Sequence, residues 1–191
     1  MGSTSKKVIA HDDILEALIR EMDGVNFKSL AFPKHKSLLD QYNKVDKDSD
    51  EAREIRKKID ALKVSTKHFV VLTVEQILTY AKKNRWNLCK NHDFIYVYNG
   101  EYWNQVEKER LQKFLGDAAT KMGVDKFSSE YYQFKEHLFK QFMSAAYLPI
   151  PKIDGETVFV NLKNGTFEIN LKGENLREFN HSDFLTYQLP F

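Results

Sequence analysis

The sequence predicts an α+β fold that is mainly helical and carries two antiparallel β-hairpins, at about residues 94–106 and 157–171. Three observations predict it. Phe94-Ile-Tyr-Val-Tyr98 runs through Asn99-Gly100 into Tyr102-Trp103-Asn-Gln-Val106, and Thr157-Val-Phe-Val-Asn-Leu162 runs through Asn164-Gly165 into a second alternating stretch. Asn-Gly between alternating apolar residues signals a tight hairpin, because both central positions of such a turn need positive φ. Before and between these stretches, apolar residues recur at the helical period. The strands do not alternate one by one with helices, which argues against a doubly wound parallel sheet.

Each element has its own signal. Asp13-Ile-Leu-Glu16 opens an amphipathic helix with Ile14, Leu15, Leu18, Ile19 and Met22 on one face, and Gly24 is placed as its stop. Residues 27–42 are mixed and broken by Pro33, and the charged stretch Lys44 to Asp50 reads as a linker or loop. Ala52, Ile55, Ile59 and Leu62 make a thin apolar stripe on a helix over 50–63, with Glu54 and Lys58 one turn apart, so this helix is expected at the surface or against a partner. Thr73-x-x-Gln76 reads as a capping box that starts a packed helix running to about Asn84. Leu111, Phe114, Leu115, Ala118, Ala119 and Met122 trace the next helix, ended by Gly123. A last helix over 130–147 carries Tyr131, Phe134, Leu138, Phe142 and Ala145 along one side and Tyr132, Phe139 and Met143 beside them, with Pro149 and Pro151 as its stop. So wide an apolar face implies burial on two sides, or one side kept for a partner. By its length the chain can be one domain, or one domain plus an appended helical segment.

Composition bounds the function. At 191 residues with 42% apolar and 13% aromatic side chains, the chain can bury a core. Its 29 basic and 27 acidic residues leave a charge of only +2, so any contact with nucleic acid must be local. The single cysteine, Cys89, rules out an internal disulfide and suits a reducing compartment. No apolar run reaches the roughly 18 to 20 residues of a membrane span, and the start lacks a signal-peptide stretch, so a cytoplasmic protein without a membrane partner is expected.

Catalytic motifs are missing where they would be plainest. None of the eight glycines belongs to a phosphate-cradling loop. Cys89-Lys-Asn-His92 has the spacing of half a zinc site, but the sequence supplies no second cysteine, so an ordinary cysteine and a turn histidine are expected and no metal is assigned. Asp154-Gly-Glu156 reads as a turn, the alternative being a carboxylate pair that holds a metal for nucleotidyl transfer. Ser128-Ser129 has no nucleophile context. No catalytic residue is assigned. Binding chemistry is more visible. Lys82, Lys83, Arg85 and Lys90 put four cations and no acid around Trp86 at a helix C-terminus. The plainer reading is that they complement the helix dipole, and the functional one is a phosphate contact beside a stacking surface for single-stranded nucleic acid, with Lys82, Lys83, Arg85, Trp86 and Lys90 as the candidate DNA-binding residues. Tyr102 or Trp103 could also stack on bases, although aromatics in an alternating hairpin usually pair across the strands.

Two stretches resemble a known family. Phe94-Ile-Tyr-Val-Tyr-Asn-Gly-Glu-Tyr-Trp-Asn-Gln-Val106 followed by a helix resembles the start of the poxvirus-type primase-helicase N-terminal domain, found also in phage and plasmid primases. Asn161-Leu-Lys-Asn-Gly-Thr-Phe-Glu-Ile169 and then His181-Ser-Asp-Phe-Leu-Thr-Tyr-Gln-Leu-Pro-Phe191 are similar to that domain's ending, with Asn161, Asn164, Gly165, His181, Thr186 and Pro190 as the motif positions. The likeness covers about residues 66–191 and so implies a domain there, with an N-terminal helical segment and polar linker over 1–65 outside it. It implies a non-catalytic domain beside a superfamily 3 helicase in a mobile-element replication protein, acting in ring assembly or DNA engagement. It also implies a downstream helicase domain that would hold ATP and Mg, a homo-hexamer in the full-length protein, and single-stranded or forked DNA as partner. No cofactor is expected in residues 1–191. The apolar ending Leu189-Pro190-Phe191 adds the expectation that the chain continues toward that motor. Two other readings stay open: a stand-alone, winged-helix-like nucleic-acid-binding module, and a metal-dependent nucleotidyl-transfer enzyme using Asp154 and Glu156.

Overall fold

Apolar faces set the order in which the chain packs. In the computed structural model, which describes residues 9–148 and 155–191, helix α1 (His11–Glu21) buries Ile14, Leu15 and Leu18. It ends at Met22, which turns into extended backbone and is itself fully buried, so core packing stops this helix and Gly24 does not. Residues 27–42, mixed in sequence, fold into α2 (Phe27–Ala31) and most of α3 (Lys34–Lys44). Asn26 caps α2 by accepting from the Ser29 N–H at 2.9 Å. Pro33 stands at the N-cap of α3, where its missing N–H costs nothing, so it begins a helix here instead of breaking one. Helix α4 (Asp50–Ala61), capped by Ser49, packs Ala52 and Ile55 inward and pairs with α3.

The capping box expected at Thr73 is not a helix start. Helix α5 runs from Thr66 to Lys83, with Ser65 and His68 in the reciprocal capping roles, and Thr73 is buried in its middle. The apolar period continues upstream through Val70 and Phe69, whose ring meets Phe27 edge-on at 4.9 Å, and that packing carries the helix past the local signal. Helix α6 (Lys108–Met122) ends at Gly123 with φ 105, the left-handed cap expected of that glycine. The segment expected as one helix over 130–147 is two, α7 (Lys126–Glu130) and α8 (Tyr132–Ala145), separated by the extended backbone of Tyr131.

Each expected hairpin gains a third strand. β1 (Leu88–Asn91), β2 (Phe94–Tyr98) and β3 (Trp103–Val106) form one antiparallel sheet, and β4 (Val158–Leu162), β5 (Gly165–Asn170) and β6 (Gly173–Arg177) form another. The turns also differ from two-residue Asn-Gly turns. Tyr98 pairs with Trp103 across a four-residue loop, in which the Asn99 carboxamide oxygen accepts from the N–H groups of Glu101 and Tyr102. Leu162 pairs with Gly165, which makes the second turn Lys163-Asn164 and puts Gly165 on the first rung of β5. A Cβ at Gly165 would lie 2.5 Å from the Arg177 carbonyl oxygen of the neighbouring strand, so this position needs glycine for closeness of approach as well as for its φ of 147.

The main core joins α1, α5, α6 and α8 to one face of the first sheet, through residues such as Leu18, Ile77, Leu115, Leu138, Ile95 and Val97. Alternation along β2 sends Tyr96 and Tyr98 to the opposite face. There they meet Cys89 and Trp103 in a smaller aromatic cluster covered by Leu148 and Phe184. No helix among the described residues is long and apolar enough to cross a membrane. Asp154, Pro149 and Pro151 lie outside the described residues.

Candidate nucleic-acid interface

One wall of the site is the end of α5. Lys82 and Lys83 occupy its last turn, and Arg85 then takes a left-handed backbone with φ 60. The Trp86 N–H donates to the Ala81 carbonyl at 2.9 Å and the Arg85 N–H to the Lys82 carbonyl at 3.1 Å, a helix ending that normally uses glycine. An L-residue in that conformation costs about 1 kcal/mol. The turn sends Trp86 into the main core and leaves Lys82, Lys83 and Arg85 exposed. Trp86 therefore serves as an apolar anchor and presents no stacking surface. None of the three exposed cations has an ion-pair partner among the described residues.

The other wall is the segment after β6. Trp103 is 1% exposed and anchors this segment twice: its indole N–H donates to the His181 carbonyl and its backbone N–H to the Leu185 carbonyl, both at 2.8 Å. Its ring packs against Tyr98, its cross-strand neighbour, and against Phe184, with centroids 5.2 and 5.7 Å apart. Tyr102 is half-buried and set against His11 at 4.4 Å. The hairpin aromatics thus build structure, as cross-strand pairing predicts.

Asn161 is completely buried and joins the two sheets. Its carboxamide nitrogen donates to the Tyr187 carbonyl at 2.8 Å and to the Glu101 carbonyl at 3.3 Å, while its backbone carbonyl accepts from the Leu189 N–H at 2.8 Å. Arg177 fixes the short 3₁₀ turn His181–Asp183 by two 2.9 Å bonds to the Asp183 carboxylate, and donates to Glu168 at 2.8 Å. The Asp183 carboxylate is the main cause of the raised Arg177 pKa. Of the six motif positions, Asn161 and Gly165 are thus architectural, Asn164 and His181 are exposed near α5, and Thr186 and Pro190 lie exposed along the last segment.

Between the two walls lies an open cleft of about 610 Å³, whose lining includes Lys82, Arg85, Asn87, Tyr98, Asn164 and His181 and also the acidic Glu178. A second opening of about 410 Å³ shares Lys82, Asn87 and His181 with it and reaches Cys89. Burial pushes the Cys89 thiol up to about 12, which keeps it protonated and a poor metal ligand or nucleophile. His92 sits in the β1–β2 turn with φ 51. Among the described residues no three His, Cys, Asp or Glu side chains converge on a metal position. The structure therefore brings together Lys82 and Arg85 from the basic segment with Asn164 and His181 from the distant motif. Lys83 is exposed but does not line the cleft, and Lys90 is half-buried in β1, its backbone bonded to Ala146 and Leu148. Asn87 and Tyr98 are lining residues for which the sequence offered no signal; only the β1–β2 pairing brings them to this opening.

Residues 74–191 match the model of a family described as D5 N-terminal like. No curated protein and no solved structure matches the chain significantly.

Proposed function

The chain belongs to the D5 N-terminal-like family, the N-terminal domain of phage- and plasmid-type primase-helicase proteins, and from that premise we propose that it engages DNA for an adjoining superfamily 3 motor without performing chemistry of its own. One observation carries the reading. Lys82 and Arg85, two cations with no ion-pair partner among the described residues, face Asn164 and His181 across an open cleft. Cations beside uncharged hydrogen-bonding groups are what a nucleic-acid backbone requires, because the phosphate supplies attraction and the neutral groups supply position. The overall charge of +2 makes that attraction local, so the cleft orients a strand more than it gathers one.

Fluorescence anisotropy with a single-stranded oligonucleotide tests the proposal. Lys82→Glu with Arg85→Glu should weaken binding by at least tenfold and flatten its dependence on salt by roughly two phosphate contacts, while Glu178→Gln should tighten it slightly. Unchanged affinity and salt slope in the charge-reversed protein would sink the reading. A role in ring assembly has a separate footing in the aromatic edge at α7 and α8, where Phe127 is 84% exposed and Tyr132 68%. If that edge meets a neighbouring subunit, Tyr132→Ala should lower the assembly mass seen by light scattering and leave DNA affinity intact.

A further inference from the structure

Tyr98 is the unusual member of the cleft. It is 5% exposed and lines the opening, yet its hydroxyl has no hydrogen-bond partner among the described residues and is not sealed from solvent. A buried tyrosine hydroxyl normally finds a partner. The ring cannot swing away to find one, because Trp103 packs on it at 5.2 Å and His181 meets it edge-on at 6.2 Å. An immobile donor is therefore presented to the cleft with its hydrogen bond unused. Beside it, the carboxamides of Asn87 and Asn164 also make no hydrogen bond among the described residues, and each offers a donor and an acceptor side by side.

We infer that this cleft is a pocket for one unpaired nucleotide, with the phosphate held by Lys82 and Arg85 and the base edge met by the Tyr98 hydroxyl and the carboxamides of Asn87 and Asn164. The inference rests on the DNA-engagement reading above and adds that the base itself is recognised. A volume of about 610 Å³ falls in the range of small-ligand pockets, roughly 300 to 1,000 Å³, and suits a single nucleotide. An unpaired base exposes the Watson–Crick edge that a carboxamide and a hydroxyl can complete, whereas a base inside a duplex has that edge occupied. The site thus selects unpaired over paired DNA by hydrogen bonding. Glu178 lines the same cleft, and its carboxylate opposes a second phosphate beside the one that Lys82 and Arg85 would hold.

The experiment compares two decamers on the whole chain by anisotropy: oligothymidylate, and an abasic tetrahydrofuran decamer of equal charge. The unsubstituted protein should bind oligothymidylate at least tenfold more tightly. Tyr98→Phe should reduce that advantage to about threefold or less and leave the salt slope unchanged, because the phosphate contacts remain. Lys82→Glu with Arg85→Glu should weaken both decamers together. Equal binding of the two decamers by the unsubstituted protein, a comparison that needs no variant to fold, would overturn the nucleotide pocket while leaving DNA engagement standing. Failure to bind either decamer would overturn both readings.

Discussion

The two three-stranded sheets have the same topology and opposite circumstances. The first is covered on both faces, by the helical core on the Ile95 and Val97 side and by Leu148 and Phe184 on the Cys89, Tyr98 and Trp103 side. In the second sheet, Val158, Ile169 and Leu176 lie on one face and are 57%, 41% and 45% exposed, while the opposite face is tied down by polar groups: Asn161 and Thr166 fully buried, and Arg177 bonded to Glu168 and Asp183. The first sheet is held by a core and the second mainly by directed hydrogen bonds. That division suits the cleft, since Tyr98 comes from the rigid partner and Asn164 from the one positioned by polar contacts.

The widest separation should come from paired truncations. Trp103→Ala removes a fully buried ring together with the Phe184 contact and the indole hydrogen bond to the His181 carbonyl that hold the last segment, and should destabilise by about 3 to 5 kcal/mol. Leu176→Ala on the second sheet should change stability by no more than about 0.5 kcal/mol. Urea unfolding of the two variants measures the contrast, and comparable losses would show that the second sheet has a core of its own.

A smaller effect tests the polar tie. Asn161→Ala leaves the Tyr187 and Glu101 carbonyls without their donor at a site sealed from water, a cost of about 1 to 3 kcal/mol. Amide hydrogen exchange should quicken over residues 158–177 and 184–191 and stay unchanged in α5 and α6. If exchange rose equally in the helices, the two sheets would be one cooperative unit and the contrast between them would be only one of exposure.

The sequence made legible what short-range chemistry decides. Gly123 ended α6 as expected, and both hairpins formed at the Asn-Gly positions, because alternation and turn residues act over a few residues. The strands it missed lack those cues. β1 is only four residues long and turns through His92-Asp93, and β6 carries Glu174, Asn175 and Arg177 with no apolar alternation, since its pairing is enforced by β5 and not by a core. Thr73 misled because a Thr-x-x-Gln pattern is read the same way at a helix start and in a helix interior; Val70 and Phe69, packed upstream, decide between them. The site was half visible. The cations of 82–90 and the motif at 161–190 stood out separately, but that Lys82 and Arg85 share a cleft with Asn164 and His181 follows only from the turn at Arg85 and the double anchor of Trp103. The cations around Trp86 allow a stacking surface there, but the ring lies in the core, because a left-handed residue just before it reverses the chain.

The smallest expected effect concerns how α1 is attached to the first sheet. His11 sits against Tyr102, and since a carbonyl can only accept, its Nε2 must carry the proton donated to the Tyr102 oxygen at 3.0 Å. Burial lowers its pKa below the ordinary 6.5, outweighing that hydrogen bond and the nearby Asp12 and Glu101 carboxylates, which act in the opposite direction. The folded protein therefore holds His11 neutral where the unfolded chain would already bind a proton. The sign follows from linkage: the contribution is fully present above pH 6.5 and is lost as pH falls from there toward the lower folded value. Thermal melts of the unsubstituted chain and of His11→Gln, taken at pH 7.5 and 5.5, should show the unsubstituted chain losing more stability on acidification. The Asp12–Arg110 ion pair, whose hydrogen bond holds the Asp12 carboxyl below its usual range, should stay intact over this interval, so the difference reports the histidine. An equal loss in both proteins would show that the α1 attachment is insensitive to the charge on His11.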